Sequence, residues 1–495
     1  MAKKSINIDE LYEKCLSGNP KDLITARTVY NYCISPFMVY CNKFGPEEKK
    51  NPENEYNNLL FEQGKAHEKQ VIENNYPDLK PVKYATLEEG FRMLLEAMSK
   101  GTSVAAGMPV FYLPEGLSGV VDVLEKRQGK KSVFGNHYYV IKEIKLSKNI
   151  RREHIYQAAF YNYVVGKIQG FTPTSFYLIN RDLEETEQKF DETELLAMME
   201  DIREILGGKR VIPTYNACMW PWETYNNEEA IKTRDVSLVA GVGPSFKRRL
   251  IAQNIHTVEH LAKARTQHLT TIEGIGEKKA AKFHNKATAL VAGKHIRLGC
   301  CKFPEKKTEL FLDLEGTGEQ VKDEGLVAMD YLIGLVVRSK GKEKYVPFVA
   351  HKLNQEKEMF SEFLKWVVGQ EDYVIYHWHN YERVHIQRLI ERYGFSRKAK
   401  LILSSMQDLY KDAVTNFAFP TYGNGLKEIA AYIGYKWKHA DVNAMESIAL
   451  YFQYIQDPNN NRDKLEKVLD YNRDDCMATM LIKDWLERES NCGEM

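Results

Sequence analysis

The sequence predicts a multidomain α/β protein, and three observations carry that expectation. The chain has 495 residues, too many for a single hydrophobic core. Two long stretches, one before residue 226 and one after residue 298, alternate short β-type runs with helical segments. Between them lies a segment without strand character in which a Gly-apolar-Gly turn occurs twice. The expected division is 1–225, 226–298 and 299–495.

Composition narrows the function before any motif is read. Hydrophobic and charged contents of 43% and 28% are those of an ordinary globular chain. No apolar run is long enough to span a membrane, so no membrane partner is expected. The stretch Met1–Asp9 lacks the apolar core of a signal peptide, which points to the cytoplasm. Eight cysteines (Cys15, Cys33, Cys41, Cys218, Cys300, Cys301, Cys476 and Cys492) show no C-x-x-C spacing and fit reduced thiols. Net charge is only +1, so affinity for a polyanion has to come from a local patch.

In the first stretch, Leu59–Glu73 reads as a helix with Gln63 and His67 on one face. Gly119–Glu125 is a β-type run that sets Asp122 among apolar neighbours. A turn-rich basic segment, Arg127–Ser132, leads to a second strand, His137–Leu146, so the pair reads as a hairpin with a long loop. Glu143 and Lys145 are two apart and project to the same side of that strand. A helix over Arg152–Ile168 puts Gln157 and Tyr161 on one face, and a strand over Thr174–Asn180 follows. Two carboxylates suit Mg²⁺ or Mn²⁺, and a neighbouring lysine can position water or stabilise developing charge. Taken singly these features are weak, since Glu-x-Lys is common on solvated strands and a lone strand aspartate is usually an edge charge.

Taken in order they are specific. His67, Gly119-Val-Val-Asp122, Glu143-Ile-Lys145 and Gln157-Ala-Ala-Phe-Tyr161 resemble the RecB-like branch of the PD-(D/E)xK nucleases. The resemblance implies a restriction-endonuclease-like αβββαβ core and metal-dependent cleavage of DNA. It implies His67, Asp122 and Glu143 as metal ligands, Lys145 as the catalytic lysine, and Gln157 and Tyr161 as supporting residues facing the substrate. Some relatives hold an iron–sulfur cluster on one N-terminal and three C-terminal cysteines. Here Cys33 is suitably placed, but after Tyr161 only Cys218 precedes the glycine turns. Four thiolates are the usual requirement, so no cluster is expected.

The middle segment repeats one pattern, in Val239–Leu250 and again in Ile272–Phe283. Its turns hold Gly241 and Gly243, then Gly274 and Gly276, with 33 residues from Gly241 to Gly274. Between Val236 and Arg297 eleven Lys and Arg stand against three Glu, a surplus of eight positive charges. Such turns expose amides at a helix start, where a phosphate can be held. Lys247, Arg248, Lys278 and Lys279 are the candidate cations on the two helices. Two copies are too few for a solenoid, and no βαβ context supports a dinucleotide fold. The pattern resembles paired helix-hairpin-helix motifs, which implies a small all-α module gripping the DNA backbone without reading sequence. A helical spacer with a solvated basic face is the alternative.

In the last stretch, Glu309–Gly318 is an apolar strand that sets Asp313 and Glu315 on one face. Two like charges on a buried strand are costly unless a cation compensates them, so a metal site is the better reading. Strand-like runs follow at Tyr331–Arg338 and Lys344–Ala350, then a helix over Gln355–Val368, a strand over Asp372–His377 and a helix to Tyr393. This βββαβα order is that of a ribonuclease-H-like sheet. Tyr471 and Asp475 share one face of a later helix. The set resembles DEDD exonucleases in their tyrosine-bearing form, especially YprB-like domains attached to RecB-like nucleases. It implies Asp313, Glu315 and Asp475 as metal ligands and Tyr471 as the group orienting the attacking water. The family's second motif ends in Phe-Asp, whereas the matching position here is Tyr381-Glu382, one methylene longer. Glu382 is the expected fourth ligand, with Asp408 and Asp474 as alternative donors, and Phe419–Glu428 reads as a loop into a helix at the substrate rim.

Together these readings imply a metal-dependent DNA nuclease, an exonuclease acting on ends, flaps or repair and defence intermediates, with Mg²⁺ or Mn²⁺ and no small-molecule cofactor. The chain lacks a Gly-x-x-x-x-Gly-Lys-Ser/Thr motif, so unwinding would need a helicase partner. A nucleic-acid-binding scaffold with one or both sites inactive is the competing class. RNA stands beside DNA as a substrate of the C-terminal domain, because a metal site for phosphodiesters does not report the sugar.

Overall fold

A computed structural model describes residues 7–53, 55–317, 329–394, 397–439 and 442–490. Cys492 and Gly318 lie outside them. The chain divides between Glu229 and Ala230 into two compact units, so the segments expected at 226–298 and 299–495 fold mainly into one body.

The first unit is built on a five-stranded sheet in the order β1-β2-β3-β4-β5, namely Val104–Tyr112, Leu117–Ser132, Gly135–Ile144, Ser175–Ile179 and Glu185–Lys189. With the helices Leu87–Lys100 and Arg152–Gln169, the order from the first helix to β4 is αβββαβ. Pairing is antiparallel except between β3 and β4, which are parallel. Parallel neighbours need a crossover, and the Arg152–Gln169 helix supplies it. That helix is buried on most of its surface, including Ala158, Ala159, Phe160 and Val164, as expected of a helix without a consistently polar face.

Two details differ from the sequence reading. The basic stretch Arg127–Ser132 is strand rather than loop, so β2 runs for 16 residues and reaches β3 through Val133 and Phe134 alone. Its Gly and Lys residues form an exposed ribbon with a register irregularity between Gln128 and Ser132, where Gly129 has φ +96°. The second difference is β5, whose Glu-Thr-Glu-Gln-Lys sequence gives no apolar alternation. It is a polar edge strand that pairs with β4 through its backbone.

The second unit opens with the helical module. Gly243 caps the helix Pro244–Ile251 and Gly276 caps Glu277–Ala292, with short helices at Val258–Lys263 and Thr266–Leu269 between them. Gly241 and Gly274 adopt φ +94° and +79°, the conformation that favours glycine. The halves pack reciprocally. Phe246 of the first helix lies against Gly274, Phe283 of the second lies against Gly241, and the two rings meet edge-on at 5.7 Å.

A two-residue strand, β6 (Ile296–Arg297), then pairs with β12 (Phe417–Ala418). The main sheet has the order β11-β10-β7-β8-β9, with β7 Thr308–Gly316, β8 Asp330–Ser339, β9 Lys342–Val349, β10 Tyr373–His377 and β11 Met406–Asp408. From β7 through the helices Glu356–Val368 and Tyr381–Tyr393 the order is βββαβα. The 29-residue helix Arg462–Ser490 contributes Cys476, Ala478, Ile482, Trp485 and Leu486 to one core with Phe311, Val336 and Tyr376 of the sheet.

Gly334 makes one close approach possible. It sits opposite Asp313 in the β7–β8 register, and a methyl group there would lie 1.6 Å from Asn472 Oδ1. Asn472 is fully buried and has little room to yield. Gly334→Ala should therefore destabilise the second unit by about 1–3 kcal/mol, read as a lower denaturant midpoint with an unchanged m-value.

Candidate active site and nucleic-acid interface

Strand periodicity and helix periodicity meet at one point of the second unit. Asp313 and Glu315, two apart on β7, face the same side, and Asp475 approaches from the Arg462–Ser490 helix. One donor oxygen from each lies within 4.8 Å of the others, and this is the only such group of three His, Cys, Asp or Glu among the described residues. Burial raises the pKa of Asp313 and Glu315 well above the carboxylate range, with Asp475 the next contributor to both. Burial also pushes Asp475 up to about 6, against the opposing pull of Trp437 and Lys427. Such a pocket resists holding three negative charges without a cation, and oxygen donors of this kind suit a hard divalent metal.

The residues around the three fix their orientation. Asn472 Nδ2 donates to Asp313 Oδ2 at 2.6 Å, while Tyr345 Oη donates to Asn472 Oδ1 at 2.8 Å. Trp437 Nε1 donates to Asp475 Oδ1 at 2.7 Å. Tyr471 is buried one helical turn before Asp475, and its pKa is raised by burial and then by the Asp475 charge. Lys427 holds its ammonium 4.5 Å from the Tyr471 ring centroid and lowers the pKa of Glu315 and Asp475. Neither Asn472 nor Lys427 was singled out in the sequence, although Lys427 falls within the expected rim segment.

Three expected donors do not join the group. Glu382 is buried and close enough to raise Asp313 and Glu315, but its carboxylate faces His377 instead, Oε2 to Nδ1 at 3.5 Å. Asp408 caps a helix, accepting from the backbone amides of His379 and Lys411. Asp474 accepts from Tyr435 Oη and from Lys438 N. Both oxygens of Asp474 are thus committed to protein donors, and Oδ1 of Asp408 is.

In the first unit, Asp122 on β2, Glu143 near the end of β3 and Lys145 just beyond it come together. Lys145 Nζ donates to Glu143 Oε1 at 2.8 Å, and Ile144 N donates to Asp122 Oδ2 at 2.8 Å. Burial, then Asp122, pushes Glu143 up to about 8. Burial likewise raises Asp122, which Lys145 partly offsets. Glu143 Oε2 is buried with no hydrogen-bond donor among the described residues. Tyr161 packs against Gly119, and its pKa is raised by burial and then by Glu143. Gln157 is half-buried one turn earlier. His67 is buried on the Glu55–Asn75 helix but does not complete a three-donor group with Asp122 and Glu143. Its neighbour Glu68 feels the charges of Asp122 and Lys145. The sequence reading missed Glu68, because Glu on a polar helix carries no signal of what it faces.

In the helical module, Gly243 and Gly276 present the two helix starts as expected. Arg248 and Lys278 are exposed on those helices. Lys247 is not available to a ligand: it is 5% exposed and pairs with Asp235, also buried, at 2.8 Å. Its place on the inner face of a short helix outweighs its charge as a guide to role. Lys279 is half-buried, donates to Gly274 O at 2.8 Å and lies 4.3 Å from the Phe246 ring centroid, so it clamps the second turn. Arg249, unremarked in the sequence, clamps the same turn through Glu273 O at 2.6 Å.

Comparison with known proteins bears on this geometry. Residues 310–487 match the family model described as the RNase_H superfamily. The chain carries an RNase_H superfamily domain. Residues 233–284 match the model described as a SAM-like helix-hairpin-helix tandem, which indicates nucleic-acid binding. The RNase H-like match begins within β7 and runs past Asp475, so it includes all three clustered carboxylates. No curated protein matches the chain. One solved structure, titled "Crystal structure of SSO0001", is 16% identical over 40% of this chain and 84% of its own, with a TM-score of 0.20, too low to carry an argument. Among the described residues no helix is long and apolar enough to cross a membrane.

The two neighbouring lysines of the module should separate cleanly. Lys247→Met strands Asp235 in the interior and should cost about 3–5 kcal/mol of stability. Lys278→Glu should leave thermal stability within about 0.5 kcal/mol and weaken nucleic-acid binding, lowering the slope of log K against log salt by about one. Thermal melts and salt-dependent binding isotherms on both variants check the pair.

Proposed function

We propose that the chain is a metal-dependent nuclease that cleaves DNA phosphodiester bonds, with the RNase H-like domain acting as a DEDD-type exonuclease of the YprB-like kind. The observation that carries this reading is the convergence of half-buried Asp313 with buried Glu315 and Asp475. A divalent cation held by these three would supply Lewis-acid polarisation of the phosphodiester and favour water as a nucleophile. The protein side chains do the rest. Tyr471, beside Asp475, orients the attacking water. Lys427 offers a positive charge at the rim, where the transition state gains negative charge. Asp313 and Asp475 are fixed beforehand by Asn472 and Trp437 and need little reorganisation. The helix-hairpin-helix pair presents the substrate by its backbone.

The same reading makes the first unit a RecB-like PD-(D/E)xK domain. Its αβββαβ order, the Glu143–Lys145 pair and the Glu143 oxygen without a donor support this. Asp122, Glu143 and His67 would hold metal there, with Lys145 beside the scissile phosphate. One observation favours a second version: among the described residues only the Asp313 group brings three donor atoms together, so cleavage by the C-terminal centre alone is the competing account.

End-labelled single-stranded and duplex DNA, with matched RNA, incubated with Mg²⁺ or Mn²⁺ tests the proposal. Wild type should shorten DNA, and in a Glu143→Gln background Asp313→Asn should reduce the activity at least about 10³-fold. Loss of a remaining activity on Glu143→Gln supports two working centres, whereas indifference to Glu143→Gln leaves one. Binding without shortening under either metal would contradict the proposal.

A further inference from the structure

The helix-hairpin-helix module does more than adjoin the RNase H-like domain. Lys286, on the module's last helix, is 4% exposed and points its ammonium into the loop 421–425. Lys286 Nζ donates to Asn424 Oδ1 at 2.7 Å, Gly423 O at 3.0 Å and Thr421 Oγ1 at 3.1 Å. Three acceptors satisfy all three ammonium protons, a commitment that a solvated lysine would not make. The loop is folded tightly around this contact. Thr421 Oγ1 donates to Gly423 O at 2.7 Å, and Gly425 N donates to Glu428 Oε2 at 2.8 Å. A methyl group at Gly423 would lie 2.1 Å from Glu428 Oε2, so any larger residue there has to displace the Glu428 carboxylate.

Lys427 lies two residues beyond that loop, directly before Glu428 in the helix Leu426–Tyr432. Its ammonium donates to Val442 O at 3.2 Å and lies over the Tyr471 and Trp437 rings at 4.5 and 5.7 Å. Both rings touch the carboxylate centre, through Asp475. The segment carrying Lys427 is also stitched to the module at both ends. β12 pairs with β6 on one side. On the other, Tyr432 Oη lies 3.0 Å from His295 Nδ1 and accepts from His295 N at 3.2 Å.

We propose that Lys286 is a positioning residue for phosphodiester cleavage: by gripping the loop 421–425 it sets Lys427 against the Asp475–Tyr471 side of the carboxylate centre. A residue of the nucleic-acid-binding module thereby tunes the chemistry without touching the substrate. The inference rests on the nuclease reading above, and the two fail differently. Cleavage indifferent to Asp313→Asn removes the reading; cleavage that needs Asp313 but ignores the Lys286 coupling removes only the inference.

A double-mutant cycle on the full chain is the test, with labelled single-stranded DNA and Mn²⁺. Lys286→Met should lower kcat about 10–100-fold, while the Kd for the same DNA in Ca²⁺ stays within about twofold. In a Lys427→Ala background, Lys286→Met should change kcat by less than about twofold. Tryptic cleavage after Lys427 should accelerate at least about tenfold in Lys286→Met, reporting release of the loop without any reference to activity. Asn424→Ala and Thr421→Val, which loosen the same grip from the loop side, should lower kcat in the same direction and serve if Lys286→Met does not fold. Multiplicative losses in the double variant, or a fall in activity that a weaker Kd accounts for, would overturn the proposal.

Discussion

Mutual repulsion among Asp313, Glu315 and Asp475 is the constraint around which the C-terminal unit is arranged. Three carboxylates in a pocket poorly screened by water oppose the compact state unless they bind protons or a cation. The surrounding structure holds them in place rather than relieving them. Gly334 lets Asn472 come close enough to bond Asp313, Trp437 fixes Asp475, and Lys427 supplies a neighbouring ammonium. A functional site that accepts this cost leaves a signature in the fold: a glycine in a strand interior and an asparagine buried without exposure.

The helix-hairpin-helix pair meets a different demand. It has to expose backbone amides at two helix starts and still hold itself together with a small core. Reciprocal packing of Phe246 on Gly274 and Phe283 on Gly241 does this, and the cations divide accordingly. Lys247, Lys279 and Arg249 stabilise the module from within or clamp its turns, while Arg248 and Lys278 on the two helices stay exposed, as do Lys263, Arg265, Lys282, Lys294 and Arg297. The positive surplus of this segment is thus smaller at its surface than in its sequence. Lys286 belongs to neither group, because its charge is spent on the neighbouring domain.

The features legible in the sequence were those set by local period. Asp313 and Glu315 two apart on a strand, Tyr471 and Asp475 four apart on a helix, and Glu143 and Lys145 beside a strand end all follow from backbone geometry. The glycine turns were equally clear, since Gly241 and Gly274 occupy a conformation that few other residues adopt. What tertiary packing decides was hidden. Nothing near Lys247 marks it as buried, nothing near Lys427 or Glu68 marks what it faces, and Glu382 differs from a ligand only in which neighbour it meets. Composition misled at Arg127–Ser132, where Gly, Lys and Ser imitate a turn in the exposed last part of a long strand. It was silent at β5, whose pairing is entirely a matter of the backbone.

Thermal melting with and without Mn²⁺ tests most directly the claim that the three carboxylates are held in readiness for a cation. In EDTA, Asp313→Asn should melt above wild type, by about 1–3 kcal/mol of added stability, because the amide removes a charge and can donate to its neighbours. Mn²⁺ at 100 times its Kd should stabilise the wild-type unit by about 2.7 kcal/mol, and this gain should be absent from Asp313→Asn. An Asp313→Asn protein that melts below wild type in EDTA and still gains the full Mn²⁺ increment would contradict the claim.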